Sequence, residues 1–319
     1  MSVTQTNVLG AVTANVIQGL ADQNQFGGLK IAPGIAQNGL SVNWPVIQLA
    51  EGEMLRDNLE KRAPGSGFKR ITAKINLDSS VVEGDGFEVV IDKSIATDSS
   101  KRGLDAMAVY GRELMLNAYR KNESDVSTLV QGSGFETTAA LVDYTAANIA
   151  TIDAAQDIQG AIETIAGRGE MADTIVIPVQ AWNRIRFSDL LKGFIAGSVN
   201  PGATVTANTL QKAFSDEGIK QVIIGRARVN NAAKNKTSIS TIWANTHLWV
   251  GAAAPASNGV GNTIAAAAAT FYSDEQSDPF IIEQYWCDER RSYVLRVFGE
   301  TNTKITNANA GQRITTSYA

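Results

Sequence analysis

Large apolar residues recur along this chain with two different periods, and each change of period marks a new part. Val8, Leu9, Val12, Val16 and Leu20 follow a weak helical spacing in a leader otherwise rich in Gln, Asn and Gly. The first forty residues hold too few large apolar groups to form a core. They read as a disordered tail or as an arm that orders against a neighbour. Strand-like alternation takes over at Leu40-Ser-Val42-Asn-Trp44-Pro45-Val46. It returns in Phe68-Lys-Arg-Ile71-Thr-Ala-Lys-Ile75-Asn-Leu77 and in Phe87-Glu-Val89-Val-Ile91, with Pro64-Gly65-Ser66-Gly67 as a turn signal. Residues 51–98 therefore predict a long two-armed β-ribbon.

Beyond the ribbon the period becomes helical. Asp98-Ser99-Ser100 supplies N-cap candidates for a helix running to about Val130, and Gln131-Gly132-Ser133-Gly134 ends it. Leu104, Met107, Gly111, Leu114, Ala118, Val126, Leu129 and Val130 form its main stripe. Val109, Tyr110, Met115 and Leu116 add apolar groups on other sides, so this helix is expected to be covered on more than one face. From about Ala146 to Gly251, helices and short strands alternate. A helix carries Ile158, Ala161, Ile162 and Ile165, the buried strand Asp173–Pro178 follows, and a helix with Trp182, Ile185 and Leu190 comes next. After the Gly197–Gly202 loop come a helix around Leu210, Ala213 and Phe214, then strands at Gln221–Ile224, Ile239–Ala244 and Leu248–Gly251. This is the pattern of a small α/β sheet. The chain then returns to β structure, with Phe280–Cys287 and Tyr293–Phe298 flanking the charged turn Asp288-Glu289-Arg290-Arg291.

Charge separates the two arms of the ribbon. Arg56, Lys61, Arg62, Lys69, Arg70 and Lys74 outnumber Asp57 and Glu60 in the first arm. Asp78, Glu83, Asp85, Glu88, Asp92 and Asp98 face Lys93 alone in the second. An ordinary edge hairpin whose arms neutralise each other would account for this split. So would a ribbon that lies on another surface, because an isolated two-stranded ribbon is marginally stable in water. Arg56, Lys61, Arg62, Lys69, Arg70, Asp78, Glu83, Asp85, Glu88 and Leu116 are the candidates for contacts between copies.

Length and composition narrow the class. At 319 residues with 44% hydrophobic content the chain can bury two layers or two domains. No apolar run reaches the roughly 18 residues of a membrane helix, and the N-terminal stretch lacks the basic start of a secretory signal. A formal charge of −4 argues against nucleic-acid gripping as the main task. The single Cys287 excludes an intrachain disulfide and a cysteine-based metal cluster. The one histidine, His247, has no nucleophile motif beside it. Gly84-Asp85-Gly86 and Gly132-Ser133-Gly134 lack a Walker lysine and read as turns. The spacing of Asp78, Glu83 and Asp85 matches no calcium loop. Trp44, Trp182, Trp243, Trp249 and Trp286 are scattered one per element and read as core or interface anchors. No catalytic, cofactor or metal site is expected.

The order of these parts resembles the major capsid protein of tailed bacteriophages, the Hong Kong 97-like fold. Local phrases carry the likeness too: Asn117-Ala118-Tyr119-Arg120-Lys121-Asn122-Glu123-Ser124, the run Asp173 to Trp182, Leu210 to Asn231, Lys304-Ile305-Thr306 and Gly311-Gln-Arg-Ile314. The resemblance implies an α+β fold. Its parts would be an N-terminal arm (1–42), an extended β-hairpin loop (43–96), a spine helix within a peripheral domain and sheet (97–135 and 265–319), and an inserted α/β axial domain (136–264). It implies a structural coat subunit, not an enzyme, that assembles through hexamers and pentamers into an icosahedral shell enclosing double-stranded DNA. It further implies a separate scaffolding protein, a portal, no cofactor and no membrane, with the subunit placed in the virion capsid after assembly in the host cytoplasm. An encapsulin-like compartment, a tail or adaptor subunit, and a cytosolic α/β enzyme with a hairpin lid are the alternatives.

Overall fold

Two β-sheets and one long helix organise the chain in the computed structural model. The described residues are 7–8, 26–39, 41–47, 75–101, 106–196, 205–233, 236–253, 266–276 and 278–318. The first sheet is built on β14 (Ser292–Ile305). Along one edge β14 pairs antiparallel with β13 (Ile281–Cys287) and β12 (Ala268–Ser273). Along the other lies β5 (Glu83–Asp92), from Ser292↔Asp92 to Thr301↔Glu83. β2 (Gly34–Gln37) extends β12 in parallel, and β1 (Asn7–Val8) extends β13. Strand alternation places Val89, Leu295, Val297 and Ile282 on one face, because Leu295 pairs with Val89, and Val297 with both Phe87 and Ile282.

The second sheet runs β6 (Glu136–Ala139), β15 (Gly311–Thr315), β11 (His247–Gly251), β7 (Thr174–Pro178) and β8 (Gln221–Gly225). β7 is buried at every residue, as expected of a short β-branched strand covered on both faces. Ile175 and Ile177 join Leu248, Val250 and Ile314 beneath a helical layer, while Val176 and Trp249 face the opposite way. That layer is α4 (Ala154–Gly167), α5 (Val179–Ile185), α6 (Asp189–Ala196) and α7 (Ala207–Ala213). Asp153 caps α4 by accepting from Gln156 N, and Thr206 with Thr209 forms a capping box at α7.

The long helix α3 (Ala106–Gln131) joins the two sheets, spanning about 39 Å at 1.5 Å per residue. Its first half lays Leu114, Met115, Leu116 and Ala118 on Ile91, Ile282, Leu295 and Val297 of the first sheet. Its second half lays Val126 and Val130 on Val176 and Trp249 of the second. The expectation of a helix buried on more than one side is met, since it serves two sheets in succession. The helix ends where Gln131 donates to the carbonyls of Ala244 (2.9 Å) and His247 (3.1 Å), and Arg313 donates to the carbonyls of Gln131 and Gly132. A guanidinium at a helix C-terminus satisfies orphan carbonyls and complements the dipole.

Several expectations change. Leu116 is 5% exposed and belongs to the subunit's own core, so it is not available as a contact between copies. Val109 and Tyr110 are the exposed apolar residues of that helix. Asp98-Ser99-Ser100 do not cap the long helix but lie inside a separate short helix, α2 (Lys93–Lys101). The first forty residues do contribute core: Ile31, Ala32 and Ile35 are buried, and β2 joins the first sheet. Val8 lies in a strand rather than starting a helix, and the remainder of that helical pattern lies outside the described residues. The acidic arm is also divided. Ile75–Val81 (β4) pairs with Ser41–Ile47 (β3), whereas Glu83–Asp92 belongs to the first sheet. Gly84-Asp85-Gly86 is therefore mid-strand, and a Cβ on Gly86 would come within 3.0 Å of Val297 O. Gly311–Thr315, expected with the peripheral strands, pairs with β11 and β6 in the second sheet, where Ile314 enters the core. Ile239–Thr241 (β10) leaves the α/β sheet to form a hairpin with Arg228–Asn230 (β9).

Because Leu114 and Leu116 share one core, Leu114→Gln and Leu116→Gln should each destabilise the soluble subunit by about 2–5 kcal/mol in urea unfolding. Val109→Gln should leave its midpoint unchanged. A Leu116→Gln subunit as stable as wild type would contradict this packing.

Candidate assembly surfaces

A buried carboxylate fixes how the N-terminal segment meets the helix. Glu123 of α3 is 1% exposed. Its Oε2 accepts the backbone N–H groups of Gly27 (2.8 Å) and Gly28 (2.5 Å), and its Oε1 accepts the indole N–H of Trp243. Gly27 and Gly28 open the short helix α1 (Gly28–Ile31), whose unpaired amides suit an anion. Glycine is needed for space, since a Cβ on Gly28 would lie 2.5 Å from Asn122 Oδ1 and 3.2 Å from the Glu123 backbone. Burial pushes the Glu123 carboxyl above the usual range, while the Trp243 indole, the two glycine amides and Lys30 pull it back. One side chain thus ties the N-terminal segment, the long helix and the loop carrying Trp243 together.

The candidate contact residues fall into three groups. Arg56, Lys61, Arg62, Lys69 and Arg70 lie outside the described residues. Asp85 and Glu88 are exposed on β5 but already engaged within the chain. Asp85 lies 3.7 Å from Lys121, and Glu88 accepts from the Tyr285 hydroxyl at 3.1 Å beside Arg296, which pairs with Glu283 at 2.5 Å. Asp78 and Glu83 are exposed, and among the described residues Asp78 accepts from the adjacent Ser79 N–H. The hairpin that carries Asp78 is anchored by Trp44, which stacks on Phe271 of β12 at 4.9 Å. Acidic surface is therefore presented along β4 and β5, but its four members do not form one cluster.

Sequence periodicity concealed a second surface. Trp182, Ile185 and Leu190 were expected on one helix, but the chain breaks between α5 and α6. There the buried Ser188 hydroxyl donates to Ile152 O at 2.5 Å. Trp182 and Ile185 stay in the core, while Phe187, Leu190 and Phe194 are exposed. Exposed aromatic and aliphatic residues in one short region are the usual mark of a contact surface. The break has no sequence signal stronger than Ser188-Asp189, a helix-start pair.

Among the described residues no group of His, Cys, Asp and Glu could hold a metal ion. His247 lies in the second sheet, 3.3 Å from the Thr315 hydroxyl, with burial and Arg313 pushing its pKa down, whereas Cys287 lies in the first sheet. The buried Tyr144–Asp157 pair, at 2.7 Å, pins the loop after β6 to α4, with Asp157 also accepting from Leu141 N. Four of the five tryptophans are buried anchors and Trp286 is half-buried. No helix among the described residues is long and apolar enough to cross a membrane.

No family model and no curated protein matches the chain. Solved structures do. A phage-related protein from Bordetella bronchiseptica aligns with a TM-score of 0.69 at 15% identity, covering 98% of each chain. A virus-like particle from Pyrococcus furiosus aligns at 0.56 and 10% identity, covering 95% of this chain and 97% of that one. The capsid structure of the cyanophage P-SCSP1u aligns at 0.55 and 11% identity, covering 91% of this chain and 87% of that one. The chain therefore has the α+β fold found in phage capsid structures.

The clamp makes a measurable prediction. Glu123→Leu leaves three buried N–H groups without an acceptor, each worth about 1–3 kcal/mol, and should lower subunit stability well beyond an ordinary surface change. Because folding raises the Glu123 pKa, its share of stability is full below the ordinary carboxylate range and declines as pH rises through the raised value. Glu123→Gln should reduce that slope in urea unfolding measured across pH. An unchanged slope together with a wild-type-like Glu123→Leu would show that the carboxylate does not clamp these elements.

Proposed function

We propose that the chain is the major coat subunit of a tailed-phage-type particle. Its copies assemble through hexamers and pentamers into an icosahedral shell around double-stranded DNA, with a separate scaffolding protein and a portal. Assembly takes place in the host cytoplasm, and the product is the virion capsid. The observation that carries this reading is whole-chain likeness. The aligned structures cover 91–98% of the chain rather than one common subfold. In this reading residues 1–42 are a strap, 43–96 an extended loop, 97–135 and most of 265–319 the peripheral domain, and 136–264 with β15 the axial domain.

The features of the single chain support a role in contacts rather than chemistry. Asp78 on β4, Glu83 on β5 and the apolar side chains of Phe187 and Leu190 are exposed, as is Phe194 beside the buried Phe214. Exposed ion pairs contribute only about 0–1 kcal/mol each, so such surfaces matter when symmetry repeats them in every subunit. Arg62, Lys69 and Arg70 supply the basic counterpart on a neighbouring copy. The likeness to the Pyrococcus furiosus virus-like particle favours a second reading, an encapsulin-like compartment enclosing a protein instead of DNA.

Electron microscopy of the purified protein separates these readings. Closed icosahedral shells are the expected result, and nuclease-protected duplex DNA inside particles made during infection distinguishes a capsid from a protein-filled compartment. Tubes or rings would point to a tail or adaptor subunit. A protein that stays monomeric with and without scaffolding partners would overturn the coat reading.

A further inference from the structure

From Gly218 to Ser273 the chain contains five Lys and Arg residues and no Asp or Glu, in a protein whose formal charge is −4. Three of those cations, Arg226, Arg228 and Lys236, are exposed on or beside the β9–β10 hairpin. The geometry is set by the residue between the two arginines. Ala227 is 2% exposed and packs with Phe26, Leu114 and Phe280, so alternation turns Arg226 and Arg228 away from that core. The Ile242 N–H bonds to Ala227 O, and the Ser127 hydroxyl of the long helix donates to Ile242 O, which fixes the hairpin against the helix. None of the three cations has an ion-pair partner among the described residues. Lys220, by contrast, is spent on Asp173 at 3.8 Å.

We infer that this hairpin is a contact surface for the phosphate backbone of duplex nucleic acid, an inference that rests on the coat reading. Phosphate contacts are made by Arg and Lys together with Asn, Ser and Thr. Ser238 is exposed beside the cations, while Asn230, Asn231 and Ser240 are hydrogen-bonded within the hairpin and hold its shape. A protein partner would need an apolar centre to the interface, and the hairpin exposes only Ile239 as a large apolar residue. The proposed contacts are to phosphates, which carry no sequence information, so binding is sequence-independent and strongly salt-dependent. The overall acidity of the chain keeps the contact weak and local.

The experiment measures fluorescence anisotropy of a labelled 30-base-pair duplex titrated with the soluble full-length chain over a series of salt concentrations. The wild type should bind, and R226E/R228E/K236E should bind about tenfold or more weakly at low salt, with the slope of log affinity against log salt reduced by about 2–3. If the reversal variant fails to fold by circular dichroism, the neutral R226Q/R228Q/K236Q variant takes its place. Absence of wild-type binding, or a variant with unchanged affinity and slope, overturns the inference. So does loss of self-association in the variant without any duplex binding by wild type, which would assign the patch to another copy of the chain. Microscopy of the same preparations keeps the two questions apart. Shells without duplex binding refute the patch alone, whereas failure of the wild type to form shells refutes the coat reading.

Discussion

A carboxyl group buried where three segments meet constrains everything around it. Glu123 can be tolerated inside the protein only because its oxygens accept from Gly27, Gly28 and Trp243, donors 96, 95 and 120 residues away in sequence. Residues 27 and 123 are fixed relative to one another, and so the parallel pairing of β2 with β12 starts in a set place. The Thr270 N–H bonds to Pro33 O, and the Thr270 hydroxyl donates to Ala32 O, which continue the attachment. Burying a carboxylate costs stability, whereas a hydrophobic junction would not, and what it provides is direction. Three N–H groups must converge on one residue.

The long helix converts that junction into an architecture. One helix face cannot cover two sheets that lie in different places, so the apolar residues shift around the helix from Leu114, Met115 and Ala118 to Val126 and Val130. Gln131 and Arg313 then lock its end to the second sheet. The first sheet also carries the β3–β4 pair, through Trp44 on Phe271 and Asn302 donating to Ser80 Oγ.

Much of this was legible in the sequence, and the failures have physical causes. Alternation at Leu40–Val46, the buried run at Ile175–Ile177 and the hairpin around Asp288–Arg291 were readable because one or both faces of a strand must be apolar. The division of the acidic arm was not readable. Ile75–Leu77 and Phe87–Ile91 both alternate, and alternation cannot tell which neighbour a strand will choose, so Glu83–Asp92 looked like the second half of a ribbon while it pairs with β14. Leu116 was misplaced for a similar reason. A helix that changes partners along its length has no single stripe, and a residue off the average stripe can be fully buried. Glu123 gave a faint signal, a carboxylate between Ala118 and Val126, but its partners lie 95 and 120 residues away. The basic candidates at 56–70 lie outside the described residues.

The central claim is that the segment around Gly27 belongs to the subunit itself through the Glu123 carboxylate. Hydrogen exchange of the Gly27 and Gly28 amides in the soluble, unassembled subunit measures this directly. The account predicts protection of both amides comparable with that of the long-helix amides around Val126. Exchange at the rate of an unstructured peptide, with protection acquired only in assembled particles, would contradict it.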